Sequence, residues 1–372
     1  MKFLFIVQGE GRGHFTQAIT LEEMLLKNGH EVVEVLVGKS TSRSLPGFFN
    51  RSVKAPVKRF LSPNFLPSAQ NKRADIGRSV VYNLLQTPAY IKSMIYIKQR
   101  IEESGADVVI NFYELLTGLT YTFLRPRIPY VCIGHQYLFL HRDFEFPPEQ
   151  NFSLFLLRLF TRLTSIGSSK RLALSFYRLS DDKRENVTVV PPLLRSEVFS
   201  LQPQKGSYIH GYMVNSGYAD YITEFNSNHP ELQLHFFWDK PDAPDEMKVT
   251  DTLSFHTLND VDFLKYMSGC KAYASTAGFE SICEAMYIGK PVMMVPVHIE
   301  QDCNAYDAVR AGAGITSNSF DLDELIEFSK NYTPDRSFVY WVNSCERVLL
   351  EELEEKKDKH TIFAIPALSN YF

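Results

Sequence analysis

Phe3 to Val7 is an unbroken apolar run that stops at Gln8-Gly9-Glu10-Gly11-Arg12-Gly13-His14. An amphipathic stretch follows from about Phe15 to Asn28, and a second apolar run, Glu31 to Leu36, ends at Gly38. Strand, glycine turn, helix and strand in that order predict a parallel sheet covered by helices. Further strands are expected at Asp107 to Asn111, Tyr130 to Ile133 and near Val187 to Val190. Val190-Pro191-Pro192 closes this series, and Pro203-Gln204-Lys205-Gly206 precedes a new strand at Tyr208, so a domain linker is expected between them. A second series runs through Leu232 to Trp238, Leu253 to His256, Lys271 to Ala274 and Pro291 to Val295. At 372 residues the chain exceeds one ordinary core. The fold expected is α/β, with two Rossmann-like, doubly wound domains facing across a cleft. They span residues 1–200 and 201–345, and a helix and tail over 346–372 return to the first domain. Ser337 to Lys359 reads as one helical segment ahead of an apolar tail, Ile362 to Phe372.

With 45% hydrophobic and 22% charged residues, the composition is that of a folded globular protein. Cys132, Cys270, Cys283, Cys303 and Cys345 are odd in number and lack metal-binding spacing, so they read as core thiols in a reducing compartment. The first apolar run is too short for a signal peptide, which adds to the expectation of a cytoplasmic protein. The net charge of −4 divides unevenly: residues 1–200 hold 26 Lys+Arg against 17 Asp+Glu, and residues 201–372 hold 13 against 26. A basic first half suits an anionic or lipid-linked acceptor or a membrane surface, although uneven solvated charge accounts for it equally well. Nothing points to nucleic acid.

The glycine loop lies where a strand hands over to a helix, so backbone can approach a ligand and the helix start offers N–H groups to negative charge. Its spacing is GxGxG, and no acidic residue ends the second strand, which disfavours a dinucleotide cofactor. Gly11 and Gly13 would line the cleft, and His14 at its mouth would take a proton from an acceptor hydroxyl, the alternative being a capping or core histidine.

The densest signal is Ala274-Ser275-Thr276-Ala277-Gly278-Phe279-Glu280-Ser281-Ile282-Cys283-Glu284-Ala285, followed at a short interval by Val297-His298-Ile299-Glu300-Gln301-Asp302-Cys303-Asn304-Ala305. A helix starting near Gly278 would present its free amides to a diphosphate, and Glu284, on the face of Glu280, could accept both hydroxyls of a ribose. Ser281 with Glu284 also fits a capping box that needs no ligand. The DxD at Asp260-Val261-Asp262 opens a helical run and reads better as a helix start than as a metal site; Asp321-Leu322-Asp323 reads the same way. Phe152 to Leu163 is apolar apart from two arginines and too short to span a bilayer. Burial is expected, with a membrane-surface helix as the alternative.

At these residues the chain resembles GT-B glycosyltransferases. It is most similar to the branch holding the lipid II-forming transferase of peptidoglycan synthesis and the UDP-glucuronosyl and glucosyl transferases, and to bacterial family 1-like proteins opening GxGRGH and carrying TAGFxSxxEAxxxGKP. The resemblance implies transfer of a sugar from a nucleotide-sugar, a UDP-sugar first, to an acceptor hydroxyl, with inversion, in cell-envelope polysaccharide or glycolipid synthesis. It implies no divalent metal and no cofactor besides the nucleotide-sugar co-substrate. Carried over by position, it implies Gly278, Phe279 and Ser281 beside the diphosphate, Glu284 on the ribose, Glu300 and Gln301 on sugar hydroxyls, and the Phe255-His256-Thr257-Leu258 loop at the nucleobase. His14 would be the base. Relatives often pair that histidine with an Asp, where this chain offers only Glu114; His135 is a second candidate near the acceptor and His298 a third on the donor side. A nucleotide-sugar 2-epimerase of the same fold and a non-catalytic nucleotide-sugar-binding protein are the alternatives.

Overall fold

The computed structural model describes residues 1–39, 45–63, 86–148, 152–214, 216–240 and 243–354. The first sheet has seven parallel strands: β1 (Lys2–Gln8), β2 (Glu31–Lys39), β3 (Val57–Leu61), β4 (Val108–Phe112), β5 (Tyr130–Gly134), β6 (Lys170–Leu174) and β7 (Val187–Val190). Their order is β3-β2-β1-β4-β5-β6-β7, so the winding reverses between β1 and β4. The second sheet holds β8 (Ile209–Met213), β9 (Leu234–Trp238), β10 (Glu246–Lys248), β11 (Leu253–Thr257), β12 (Ala272–Ser275), β13 (Val292–Met294) and β14 (Gly314–Thr316), in the order β10-β11-β9-β8-β12-β13-β14. All its pairings are parallel except β10 with β11, and it reverses between β8 and β12. The carboxyl ends of strands at such reversals form the ligand crevice of doubly wound sheets.

Phe3 to Val7 is fully buried because helices cover both faces of the sheet. Phe3, Phe5 and Val7 enter one apolar cluster, and Leu4 and Ile6 enter the opposite one, as the two-residue strand period requires. The first cluster continues through Leu193, Phe263 and Phe279, so the two sheets share apolar packing. The chain passes between the sheets by Pro191-Pro192 and a short helix, Ser196–Ser200.

The expected helix Ser337 to Lys359 is two helices, Arg336–Asn343 and Cys345–Glu354, broken where the Ser344 hydroxyl donates to the Trp341 carbonyl (2.7 Å). They return to the first domain: Trp341 Nε1 donates to the Ser175 carbonyl, and Glu346, Glu352 and Glu354 meet Lys27, Lys170 and His30. The apolar tail expected at Ile362 to Phe372 lies outside the described residues.

The helix Phe152–Thr164 corrects the expectation of burial. Only Leu154, Thr161 and Thr164 are buried, whereas Phe152, Phe155 and Leu159 are 72%, 60% and 40% exposed. Successive i, i+3 and i+7 positions place these three on one stripe. Among the described residues no helix is long and apolar enough to cross a membrane.

Candidate functional site

The glycine loop is shaped from within. Gln8 Oε1 accepts the amides of Glu10 and Gly11 (both 3.2 Å), and Gly11 ends the turn as cap of the helix Arg12–Lys27. Gly9 donates to the Gly38 carbonyl (2.7 Å), and a Cβ there would stand 2.5 Å from that oxygen, so β1 and β2 close together only over glycine.

Because β1 and β4 are neighbours, the loops that follow them meet. His14 is buried, lies against Tyr113 (centroids 5.6 Å, 25°) and reaches Gln17 Oε1 from Nδ1 (3.4 Å). Burial lowers its pKa, and the charge of Glu300 opposes that shift. Tyr113 has φ +61°, and its hydroxyl is 2.7 Å from that of Thr161. A bulky residue in that region is strained, a condition that clusters at functional sites.

Glu114 does not fill the place expected for it beside His14. Its carboxyl caps its own helix through the Leu116 amide (3.1 Å), accepts from the Ser62 hydroxyl (2.6 Å) and makes no hydrogen bond to His14. The short side chain, fixed by its own cap, is buried against Gly38, and burial pushes its pKa up to about 7.

In the second domain the turn after β12 is the counterpart. Ala277 takes φ +58°, held by Asn304 Nδ2 on its carbonyl (3.2 Å). Gly278 then caps the helix Phe279–Tyr287 with no side-chain hydrogen bond, which leaves the first-turn amides without an intrahelical partner. This helix start faces the glycine loop: Glu280 lies against Gly13, and Gln17 Nε2 donates to Glu280 Oε1 (2.5 Å). The Ser281 hydroxyl bonds the Gly278 carbonyl (3.1 Å), so it serves the turn itself.

The remaining expected residues fall in distinct places. His135 is buried, its Nδ1 is 2.8 Å from the Leu174 carbonyl and its ring lies flat on Phe279 (3.9 Å, 17°), while burial lowers its pKa to about 4. Its Nε2 has no partner among the described residues. Glu300 accepts from Gln136 Nε2 (2.9 Å) across the domain boundary. Gln301 Oε1 accepts the Val297 amide (2.9 Å), so its amide nitrogen is the group left to donate. His298 is exposed as cap of the helix Ile299–Arg310; its carbonyl accepts the Asp302 amide (3.0 Å), and its side chain makes no cap hydrogen bond. Phe255 to Thr257 belong to β11, so only Leu258 of that expected edge leaves the strand, and it packs on the apolar cluster. His256 turns instead toward His235 (3.4 Å).

Glu284 departs furthest from expectation. It is buried and held by Arg195, Nε to Oε1 at 2.5 Å and Nη2 to Oε2 at 2.9 Å, while Nη1 reaches Asp260 (3.3 Å). The diol-binding carboxylate expected from spacing is thus occupied by a linker arginine. Asn259 caps the helix Asp260–Gly269 through the amides of Val261 and Asp262, which accounts for the DxD spacing. Among the described residues no group of three or more His, Cys, Asp or Glu could hold a metal ion. Arg195, Tyr113, Gln17, Gln136 and Glu280 are the site residues that sequence reasoning passed over. Arg195 was signalled only as a lone cation after Pro191-Pro192-Leu193-Leu194, and Tyr113 only by following an apolar strand.

The sequence profile of glycosyl transferase family 1 matches residues 1–332. A search among curated proteins gives no significant match. Solved structures share the fold. A UDP-glucosyltransferase from Polygonum tinctorium capable of glucosylating indoxyl aligns with TM-score 0.67 at 15% identity, over 96% of this chain and 99% of that one. The Phytolacca americana enzyme UGT2, complexed with UDP-2-fluoro-glucose and pterostilbene, aligns with TM-score 0.62 at 13% identity, over 94% and 96%. The spinosyn rhamnosyltransferase SpnG, complexed with thymidine diphosphate, aligns with TM-score 0.57 at 14% identity, over 95% and 100%.

Proposed function

Because the chain belongs to glycosyl transferase family 1, we propose that this GT-B glycosyltransferase moves a sugar from a nucleoside-diphosphate donor, a UDP-sugar first, to an acceptor hydroxyl, with inversion and without a divalent metal. The observation that carries the proposal is the uncapped start of the helix Phe279–Tyr287, turned toward the glycine loop and His14. Amides and helix dipole there would take the charge that builds on the departing diphosphate. Gly278, Phe279 and Ser281 would border it, and the Gln301 amide nitrogen and Glu300 would meet sugar hydroxyls. Leu258 would edge the base, with His298 on the donor side. A ribose diol at Glu284 would share that carboxylate with Arg195 or displace it.

His14 is the base in this reading. Burial keeps the imidazole neutral and able to accept a proton, and the charge of Glu300 stabilises the imidazolium that forms. Glu300 therefore takes the part expected of Glu114, while Gly11, Gly13 and His135 shape the acceptor side.

The exposed ridge Phe152, Phe155 and Leu159 supports contact with lipid at the cytoplasmic face of a membrane through its apolar side chains, while Arg158 and Arg162 of the same helix turn to Phe146 and Glu185. The opposite face of that helix touches Tyr113 through Phe160 and Thr161, which links a lipid surface to the candidate base. Flotation with phosphatidylglycerol vesicles should be lost in Phe152→Ser/Phe155→Ser; unchanged flotation would refute the contact.

A thermal-shift panel of UDP-, GDP-, dTDP- and CMP-sugars tests the donor assignment. A hundredfold excess over Kd adds about 2.7 kcal/mol of apparent stability. The UDP-sugar should shift the transition, and no shift with any nucleotide would remove the assignment. A donor consumed only with acceptor present separates transfer from epimerisation.

A further inference from the structure

A carboxyl group already lies beside the seat offered to a diphosphate. Glu280 is the second residue of the helix Phe279–Tyr287, where the amides have no partner within the helix. Its carboxyl is half-buried between the two domains: a Cβ on Gly13 would stand 2.3 Å from Oε2, and Gln17 Nε2 donates to Oε1 at 2.5 Å. The carboxyl thus fills the space into which a side chain on residue 13 would project.

The charged and titratable groups around it come from three elements. Glu284 lies on its own helix, tied to Arg195; Glu300 lies on the next helix, tied to Gln136; His14 lies on the helix that carries Gly13 and Gln17. Arg12, the cation next to Gly13, stands over the Phe48 ring, 5.2 Å from its centroid. Among the described residues nothing charged pairs with Glu280. Burial pushes its pKa up to about 7, the charges of Glu300 and Glu284 add to the rise, and its own amide and Gln17 oppose it.

We propose that Glu280 is a specificity-determining residue of the donor site: its carboxyl lies beside the anion seat, and a diphosphate donor is admitted only when that carboxyl keeps a proton through which it hydrogen-bonds a phosphate oxygen. An ionised carboxylate there holds its own amide and repels the donor. A protonated one is a neutral hydrogen-bond donor beside an anion. This rests on the reading of the helix start as the diphosphate seat.

Isothermal titration with UDP-glucose and dTDP-glucose between pH 6 and pH 8 tests it, because neither donor has a phosphate that ionises in that range. With one proton taken up, wild type should bind about tenfold more weakly at pH 8 than at pH 6. Glu280→Gln keeps the shape, still accepts from Gln17 and supplies a neutral donor. Its affinity should vary less than about twofold over the same range, about tenfold above wild type at pH 8. Gln17→Leu removes a hydrogen bond that favours the carboxylate and should move the wild-type fall to higher pH. Equal pH dependence in wild type and Glu280→Gln, or weaker binding by Glu280→Gln at pH 8, overturns the proposal and leaves the diphosphate seat standing. Absence of binding by either donor to either protein overturns both.

Discussion

His135 lies flat on Phe279, ring centroids 3.9 Å apart and 17° from parallel, so a first-domain loop and the opening residue of the candidate donor helix form one packed unit. Phe176 adds a third ring, 4.7 Å from Phe279. Aromatic pairs of this kind contribute about 1 kcal/mol beyond their buried area. Phe279→Leu should therefore lower stability in urea by about that amount. Because the helix start would then be less well placed, kcat/KM should fall on the order of tenfold to a hundredfold.

Arg195 and Glu284 are a largely buried ion pair: removal of Arg195 leaves the Glu284 carboxylate without a cation, whereas removal of Glu284 leaves Arg195 with Asp260. Arg195→Met should cost about 3–5 kcal/mol in chemical denaturation, Glu284→Gln should cost less because Asp260 still meets the guanidinium, and the double variant should recover much of the Arg195→Met loss. Additive losses would mean that the pair is not coupled.

His14 and Glu114 are separated by their partners, Gln17 and Tyr113 for one, Ser62 and the Leu116 amide for the other. His14→Ala should lower kcat by about 10²–10⁴ with little change in donor affinity. Glu114→Gln keeps the cap and should lower kcat less than about tenfold. A larger loss in Glu114→Gln would restore the sequence-based pairing.

His210 is buried beside Phe237, Phe263 and Tyr273, with neither ring nitrogen partnered among the described residues, and burial lowers its pKa to about 3. The unfolded chain binds this proton below about pH 6.5 and the folded chain does not, so the stability is complete above that pH and is lost as pH falls toward the folded pKa. From pH 7 to pH 5 this residue alone should cost about 2 kcal/mol. Glu114 and Glu280, whose pKa values are raised, act in the opposite sense, because the folded chain keeps their protons as pH rises from 4.5 to about 7. The difference between wild type and His210→Phe in denaturant titrations at the two pH values isolates the histidine.

The sheets were legible because their strands are short buried runs such as Phe3 to Val7, which leads into the Gly9 turn, and Leu253 to His256, set between polar turn residues. β3, β6, β10 and β14 were not, since Val57–Leu61 and Lys170–Leu174 carry cations at strand positions and the other two are three residues long. In the site, the Gly278 turn could be read from local sequence, because a helix start is a local feature. Side-chain partners could not. Arg195 lies 89 positions from Glu284, and Glu280 lies 263 from Gln17, so only the folded chain shows which carboxylate meets an arginine and which meets Gln17. Spacing placed Glu280 and Glu284 on one helical face; packing gave one to the glycine loop and the other to the linker.

The most direct test is a crystal structure of the protein with a bound UDP-sugar. Diphosphate oxygens within hydrogen-bond distance of the amides of Phe279, Glu280 and Ser281, with the anomeric carbon facing His14, is the predicted result. A diphosphate held elsewhere, away from those amides, would contradict the account.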